Sequence, residues 1–184
     1  MGVRWLLLVT LVASACSVEP EPSARWTGPP ATVQPSADHA PTLADLRDQL
    51  TADGSACSEI EHTNPDVPAG ITLACEKAVD VGTLRIESVF PPGDEFQRVH
   101  ATFLPVDPGG SLAMSSQVEA LRTPTGIPYP GADPEQAVTR LANDLTSPGC
   151  RGEDCITPIG TGTFSFQTGV GGAWVLSLEV TRAE

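Results

Sequence analysis

The stretch TLRIESVFPPGDEFQRVHATFL, residues 83–104, decides the class of fold. On both sides of its PPGDE segment, apolar residues alternate with polar ones, which is the two-residue period of a strand with one buried face. The prolines and the glycine of that segment are typical of a turn. The stretch therefore predicts a long hairpin of two strands, 83–90 and 96–104. We expect its outward face to carry Arg85, Glu87, Arg98, His100 and Thr102, with His100 beside Glu87 or Arg85 on the neighbouring strand.

The same strand-like alternation recurs elsewhere in the chain, at 71–75, 163–167 and 173–181. The last two segments are close enough in sequence to form a closing hairpin. Together with the first hairpin they predict an antiparallel sheet of about five strands.

Helical signals lie on both sides of the first hairpin. They are the N-cap pair Thr42 and Asp45 ahead of leucines at 43, 46 and 50, the capping-box pair Ser116 and Glu119, and Asp133-Pro134 ahead of an apolar stripe that ends near residue 145. Residues 123–134, rich in proline and glycine, are predicted to form a loop. Helices beside an antiparallel sheet indicate a single α+β domain, which we assign to 42–184, with two to three helices.

The first residues of the chain have the pattern of a secretory signal peptide. Arg4 is followed by an apolar run over residues 5–13 and then by small residues. The run is much shorter than the roughly 20 residues that a transmembrane helix needs. We therefore expect 1–15 to be a signal peptide.

A lone cysteine follows that segment. Ser14, Ala15 and Cys16 fit the lipobox of bacterial lipoproteins, which this stretch resembles, although Ala13 stands where a larger aliphatic residue is usual. The chain as a whole is similar to small exported actinobacterial lipoproteins of unknown role. The resemblance implies acyl chains on Cys16 and the lipid bilayer as a partner.

The same resemblance implies a location at the outer face of the cytoplasmic membrane or elsewhere in the cell envelope. Residues 16–41, with many prolines, are predicted to be the lipidated cysteine and a disordered stalk. Cleavage without lipidation is the alternative, and it predicts a freely secreted protein.

Cysteine usage supports the lipoprotein interpretation, because five cysteines leave one unpaired in an oxidising compartment. The four that remain after Cys16 allow three pairings. We favour Cys57 with Cys75 and Cys150 with Cys155. Zinc held by the last two cysteines and other ligands is the alternative, but a spacing of four residues is unusual for zinc.

Charge and motifs exclude several classes of function. The net charge of −13 disfavours nucleic acid and anionic lipid headgroups as partners. Known nucleophile, zinc-protease, phosphate-loop and EF-hand patterns are missing from the sequence, and no cofactor is predicted. A cluster of Glu59, Glu61, His62 and Asp66 is a candidate for binding a divalent cation, although an exposed acidic loop explains it as well.

Two classes of function remain open. The first is an anchored binding module that takes an unknown protein or small-molecule partner on its sheet face or on the 122–134 loop. The second is an envelope hydrolase, for which Glu59, Glu61, His62 and His100 are the candidates. The first is favoured, because anchoring is visible in the sequence and catalytic parts are not, so enzyme activity is not expected. A shared cleft for His62, His100 and carboxylates would favour the hydrolase.

Overall fold

The fold is an α+β arrangement of one sheet and a layer of helices, as predicted. The computed structural model describes residues 39–62, 69–93, 96–108, 112–151 and 154–181. Within these ranges there are three α-helices, seven strands and two short 3-10 turns at Pro148–Cys150 and Val170–Gly172. The helices are α1 (Leu43–Ala52), α2 (Met114–Thr125) and α3 (Pro134–Thr146). The strands are β1 (Ala56–Glu61), β2 (Ile71–Val79), β3 (Gly82–Phe90), β4 (Arg98–Pro105), β5 (Cys155–Ile159), β6 (Gly162–Thr168) and β7 (Trp174–Val180).

All seven strands join one antiparallel sheet in the order β1-β2-β3-β4-β7-β6-β5. The prediction of about five strands is therefore wrong by two. The strands that it missed, β1 and β5, are the two edges of the sheet; five of the six β1 residues are exposed, whereas β5 buries Thr157 and Ile159. β1 thus has little apolar alternation to reveal it, and in β5 the alternation is only five residues long and includes a proline.

Two of the helices begin as the sequence predicts. Thr42 caps α1, and its side chain and that of Asp45 bond reciprocally to each other's backbone N–H groups. Asp133 caps α3 by accepting a hydrogen bond from the backbone of Gln136 at 2.9 Å. The predicted capping box of α2 does not form, because that helix begins two residues before Ser116 and has no side-chain cap.

The core lies between the sheet and the three helices. The alternate residues of the strands that face the helices are buried, and they meet the apolar stripes of α1, α2 and α3. Aromatic side chains dominate the centre, where Trp174 stacks on Phe103 with ring centroids 5.5 Å apart and lies 6.0 Å from Phe166. This burial is the main source of stability for the domain.

The connection from α2 to α3 belongs to the core, which corrects the prediction of a loop over 123–134. Its first residues extend α2 to Thr125, and both Ile127 and Tyr129 are buried. The backbone carbonyl of Pro130 accepts hydrogen bonds from the backbone and the side chain of Thr161. Gly160, with a φ of 58°, lies so close to this connection that a Cβ atom would overlap it.

Both disulfides join the cysteines that the sequence analysis favoured. Cys57 and Cys75 are directly opposite each other on β1 and β2, with Cα atoms 4.0 Å apart. Cys150 and Cys155 close a short loop between α3 and β5. In a disulfide neither sulfur is the thiolate that zinc binds.

The helices cover one face of the sheet and leave the other uncovered by any element of the described ranges. We call this second surface the open face. No helix of the described residues is long and apolar enough to cross a membrane. Cys16, the signal peptide and the stalk lie outside the described residues, so those assignments stay predictions.

Candidate functional site

The open face displays the outward residues of the strands in rows that follow directly from strand register. One row runs Ser58, Ala74, Glu87, His100, Ser177, Ser165 and Ile156 from β1 to β5. The next row runs Ile60, Thr72, Val89, Arg98, Glu179, Thr163 and Pro158. Hydroxyl groups and charged side chains make up most of both rows. The surface is therefore polar, with scattered apolar residues.

His100 is the centre of the first row. Its Nδ1 atom lies 2.9 Å from Oγ of Ser177 on β7, within hydrogen-bond distance. Glu87 on β3 is its register partner on the other side, which confirms the predicted neighbour. A serine, a histidine and a carboxylate thus occupy consecutive positions across three strands. This is the order of groups that nucleophilic hydrolases use, although no hydrogen bond or ion pair joins Glu87 to the imidazole among the described residues.

The charged groups around this row are already paired. The Arg98 guanidinium forms an ion pair with Glu179 across β4 and β7. The carboxylate of Glu87 lies 2.6 Å from the guanidinium of Arg85, two residues earlier on β3. All four side chains are more than a third exposed, so these pairs contribute little to stability. Their effect is to leave the centre of the open face without a strong net charge.

A shallow depression of about 850 Å³ lies over this part of the sheet. It combines imidazole, guanidinium, carboxylate and hydroxyl groups with a few apolar walls. Its lining residues are Thr72, Glu87, Val89, Phe96, Gln97, Arg98, His100, Glu179, Val180 and Thr181. The volume is in the range of small-molecule binding sites.

The described members of the predicted cation cluster, Glu59, Glu61 and His62, do not all lie on the same face of the sheet. Glu59 lies 3.0 Å from the guanidinium of Arg47 on α1, so it faces the helix side of β1. Glu61 has the same parity on β1, whereas His62 follows with the opposite parity. Asp66 lies outside the described residues, so the cation site stays a prediction.

His62 and His100 are on the open face but do not share the depression. The imidazole of His62 contacts the hydroxyl of Thr72, with Nε2 and Oγ1 2.7 Å apart, near the β1 edge. Two strands, β2 and β3, separate β1 from the strand that carries His100. Only His100 lines the depression described above. The arrangement that would have favoured the predicted hydrolase, two histidines in one cleft, is therefore not found among the described residues.

A second depression, of about 610 Å³, lies on the helix side between α1, α2 and α3. Lys77, the single lysine of the chain, lies 2.6 Å from the carboxylate of Asp53. The Thr123 hydroxyl donates to the same carboxylate at 2.6 Å. Arg122 lies between Glu119 and Glu135 at 3.3 and 3.4 Å. These contacts tie the helices to the sheet, and each polar group named has a partner within the fold.

Sequence reasoning identified His100 and Arg98 as outward residues but not their partners Ser177 and Glu179. Alternation in β7 does mark positions 177 and 179 as polar and outward. What the sequence lacks is the pairing of β4 with β7, which joins strands separated along the chain by two α-helices and two other strands. The site could not be found from the sequence without knowing that β4 and β7 are neighbours in the sheet.

Comparison with known proteins gives no family model, no curated protein and no solved structure that matches this chain. The candidate site therefore has to be interpreted from its own geometry.

Proposed function

We propose that this protein is a lipid-anchored module of the bacterial cell envelope that binds a neutral, hydroxyl-rich ligand, such as an envelope glycan, on its open face. The observation that carries the proposal is the 850 Å³ depression over β3, β4 and β7, on the sheet face that the helices leave uncovered. In a two-layer domain a second sheet face exposed to solvent is available for recognition.

The chemistry of the depression favours a neutral ligand with many hydroxyl groups. Its ion pair, Arg98 with Glu179, presents both donors and acceptors without excess charge. Thr72, Thr181 and His100 add further hydrogen-bonding groups, while Val89 contributes an apolar wall. Sugars offer the matching combination of hydroxyls and C–H surfaces. The overall charge of −13 disfavours a polyanionic ligand.

The second candidate function is hydrolysis of a ligand by His100, which lines the same depression, and the neighbouring Ser177, which is not among its lining residues. The contact of 2.9 Å between His100 and Ser177, with Glu87 on the far side, favours it. Binding without chemistry is preferred, because β3, β4 and β7 are central strands. Their backbone N–H groups are engaged in the ladders on both sides and do not form an oxyanion hole.

The binding proposal is tested with the full-length protein in detergent and soluble fragments of purified cell-wall glycan. We expect saturable binding by calorimetry, and at least tenfold weaker binding for Arg98→Ala, because that change removes the donor fork and leaves Glu179 unpaired. Arg140→Ala, an exposed change on α3, is the matched control.

Equal binding by both variants would contradict the assignment of the site, and no binding by the unmodified protein would contradict the ligand class. Fragment size measured after incubation separates the two candidate functions. Fragments that stay intact support a binding module, whereas shortened fragments that depend on Ser177 support the hydrolase.

The anchoring part of the proposal depends on the lipobox alone. We expect Cys16→Ser to move the protein from the membrane fraction into the medium, because no acyl chains can then be attached at that position. Fractionation of cells and immunoblotting measure this. Cys16→Ser protein retained in the membrane fraction would contradict lipid anchoring, and Ser17→Ala serves as a neighbouring control.

A further inference from the structure

The Cys150–Cys155 disulfide has a carboxylate beside it. A carboxylate oxygen of Asp144 and the two sulfur atoms all lie within 4.8 Å of one another. Asp144 is in the last turns of α3, and the disulfide follows the 3-10 turn that ends at Cys150. The two elements therefore hold an acid–base group next to a redox-capable bond.

The two cysteines differ in their burial. Cys150 is fully buried, whereas Cys155, at the start of edge strand β5, is partly exposed. An incoming thiol or disulfide can thus approach Cys155, while Cys150 remains shielded. An accessible sulfur paired with a buried partner is the arrangement that thiol–disulfide exchange requires for attack and release.

The Asp144 carboxyl is suited to proton transfer with the buried sulfur. Burial raises its pKa, and a hydrogen bond from Thr157 on β5 acts in the opposite direction. Among the described charged residues near it in sequence, Arg140 on α3 and Arg151 and Asp154 in the loop are exposed. A carboxyl with a raised pKa is closer in basicity to a thiolate and accepts a proton from a thiol more readily.

The other disulfide also joins a partly exposed cysteine, Cys57, to a buried one, Cys75, so the carboxylate and not the exposure distinguishes the two bonds. Cys57 and Cys75 are paired within a continuous ladder between β1 and β2. Asp144 lies beside Cys150 and Cys155. Among the described residues, no such group of potential metal-binding side chains includes Cys57 or Cys75. Within the part of the chain that the structure describes, the Cys57–Cys75 bond therefore lacks the neighbouring carboxylate that Asp144 provides to Cys150–Cys155.

We propose that Cys150 and Cys155 form a thiol–disulfide exchange site in which Asp144 accepts the proton of Cys150. In the dithiol form, the Cys155 thiolate attacks a low-molecular-weight disulfide, forms a mixed disulfide and expels one thiolate. Asp144 then takes the proton of Cys150, and the resulting thiolate attacks the sulfur of Cys155. The internal bond closes and the second thiolate leaves, so two cysteine thiols are oxidised while one external disulfide is reduced to two thiols.

The test uses the full-length protein and the glutathione couple, with each cysteine followed by alkylation and peptide mass spectrometry. We expect graded reduction to open Cys150–Cys155 before Cys57–Cys75. When the opened pair is treated with oxidised glutathione, Asp144→Asn should slow ring closure by about tenfold or more and accumulate the glutathione adduct on Cys155. Asp144→Glu should restore closure, and Asp154→Asn should leave it unchanged.

Two results would overturn the proposal. The first is that, in the unmodified protein, Cys57–Cys75 is reduced at least as readily as Cys150–Cys155. This measurement does not depend on the folding of any variant. The other is equal closure rates, without the adduct, in Asp144→Asn and the unmodified protein. A purely structural role for Asp144 would change stability but would not trap the mixed disulfide.

Discussion

Trp174→Ala is expected to lower the free energy of unfolding by about 3–5 kcal/mol. Trp174 lies at the start of β7 with 1% of its surface exposed, and it contacts the rings of Phe103 and Phe166. Truncation leaves a cavity where the two halves of the sheet join at β4 and β7. Because domains of this size are stable by about 5–15 kcal/mol, this one change removes a large fraction of the stability. Denaturant unfolding followed by circular dichroism measures it.

A matched substitution separates the loss of packing from the loss of a polar group. The indole Nε1 of Trp174 is buried and has no hydrogen-bond partner among the described residues. Trp174→Phe therefore breaks no hydrogen bond, and its cost should be about 1–2 kcal/mol from the smaller ring. Val170→Ala, at a side chain that is 89% exposed, should cost almost nothing. A Trp174→Ala cost no greater than that of Val170→Ala would contradict this account of the core.

The sequence was most informative where one face of an element is buried and the other is exposed. Leu84 and Ile86 on β3, and Leu176 and Leu178 on β7, alternate with polar residues, and all four are buried as predicted. Edge strand β1 was missed because it has no fully buried residue, and edge strand β5 because its alternation spans only five residues and includes Pro158. On β1, Cys57 is the one residue that is not fully exposed.

Helix boundaries could be predicted where a cap uses side chains and could not be predicted where it does not. Thr42 and Asp133 make the expected hydrogen bonds, and both helices begin there. The Ser116 signal was misleading, because α2 starts earlier without any side-chain cap and continues through Pro124. A proline in the last turn loses only one hydrogen bond, which buried neighbours such as Leu121 compensate.

The sequence predicts that His100 and Arg98, which belong to the candidate site, face outward, but it does not predict which residues of β7 they contact. Alternation assigns His100 and Arg98 to the open face, but their partners Ser177 and Glu179 are about 80 residues away in sequence, with separations of 77 and 81. Local patterns carry no information about which strands become neighbours across such a distance. The Asp144 carboxylate was missed for the same kind of reason, since helical periodicity does not reveal that a residue approaches a disulfide.

Removal of the Cys57–Cys75 disulfide should cost about 3 kcal/mol, against about 2 kcal/mol for Cys150–Cys155. The two bonds link residues that are 18 and 5 positions apart, and the longer loop loses more entropy on closure in the unfolded chain. Double alanine variants, compared by denaturant unfolding, test this order. A larger loss from the shorter loop would contradict the entropic argument.

The position of the longer bond predicts a local effect in addition to the global one. β1 is an edge strand with hardly any side chain in the core, so the ladder with β2, the disulfide and one exposed ion pair from Arg47 hold it to the domain. Without the disulfide, β1 should open more often than the rest of the sheet, because exposed ion pairs stabilise by less than about 1 kcal/mol. Hydrogen exchange should then accelerate at the amides of Ala56–Glu61 and of their partners on β2, while β4 and β7 keep their protection. Uniform acceleration across all strands would instead mean that β1 unfolds only with the whole domain.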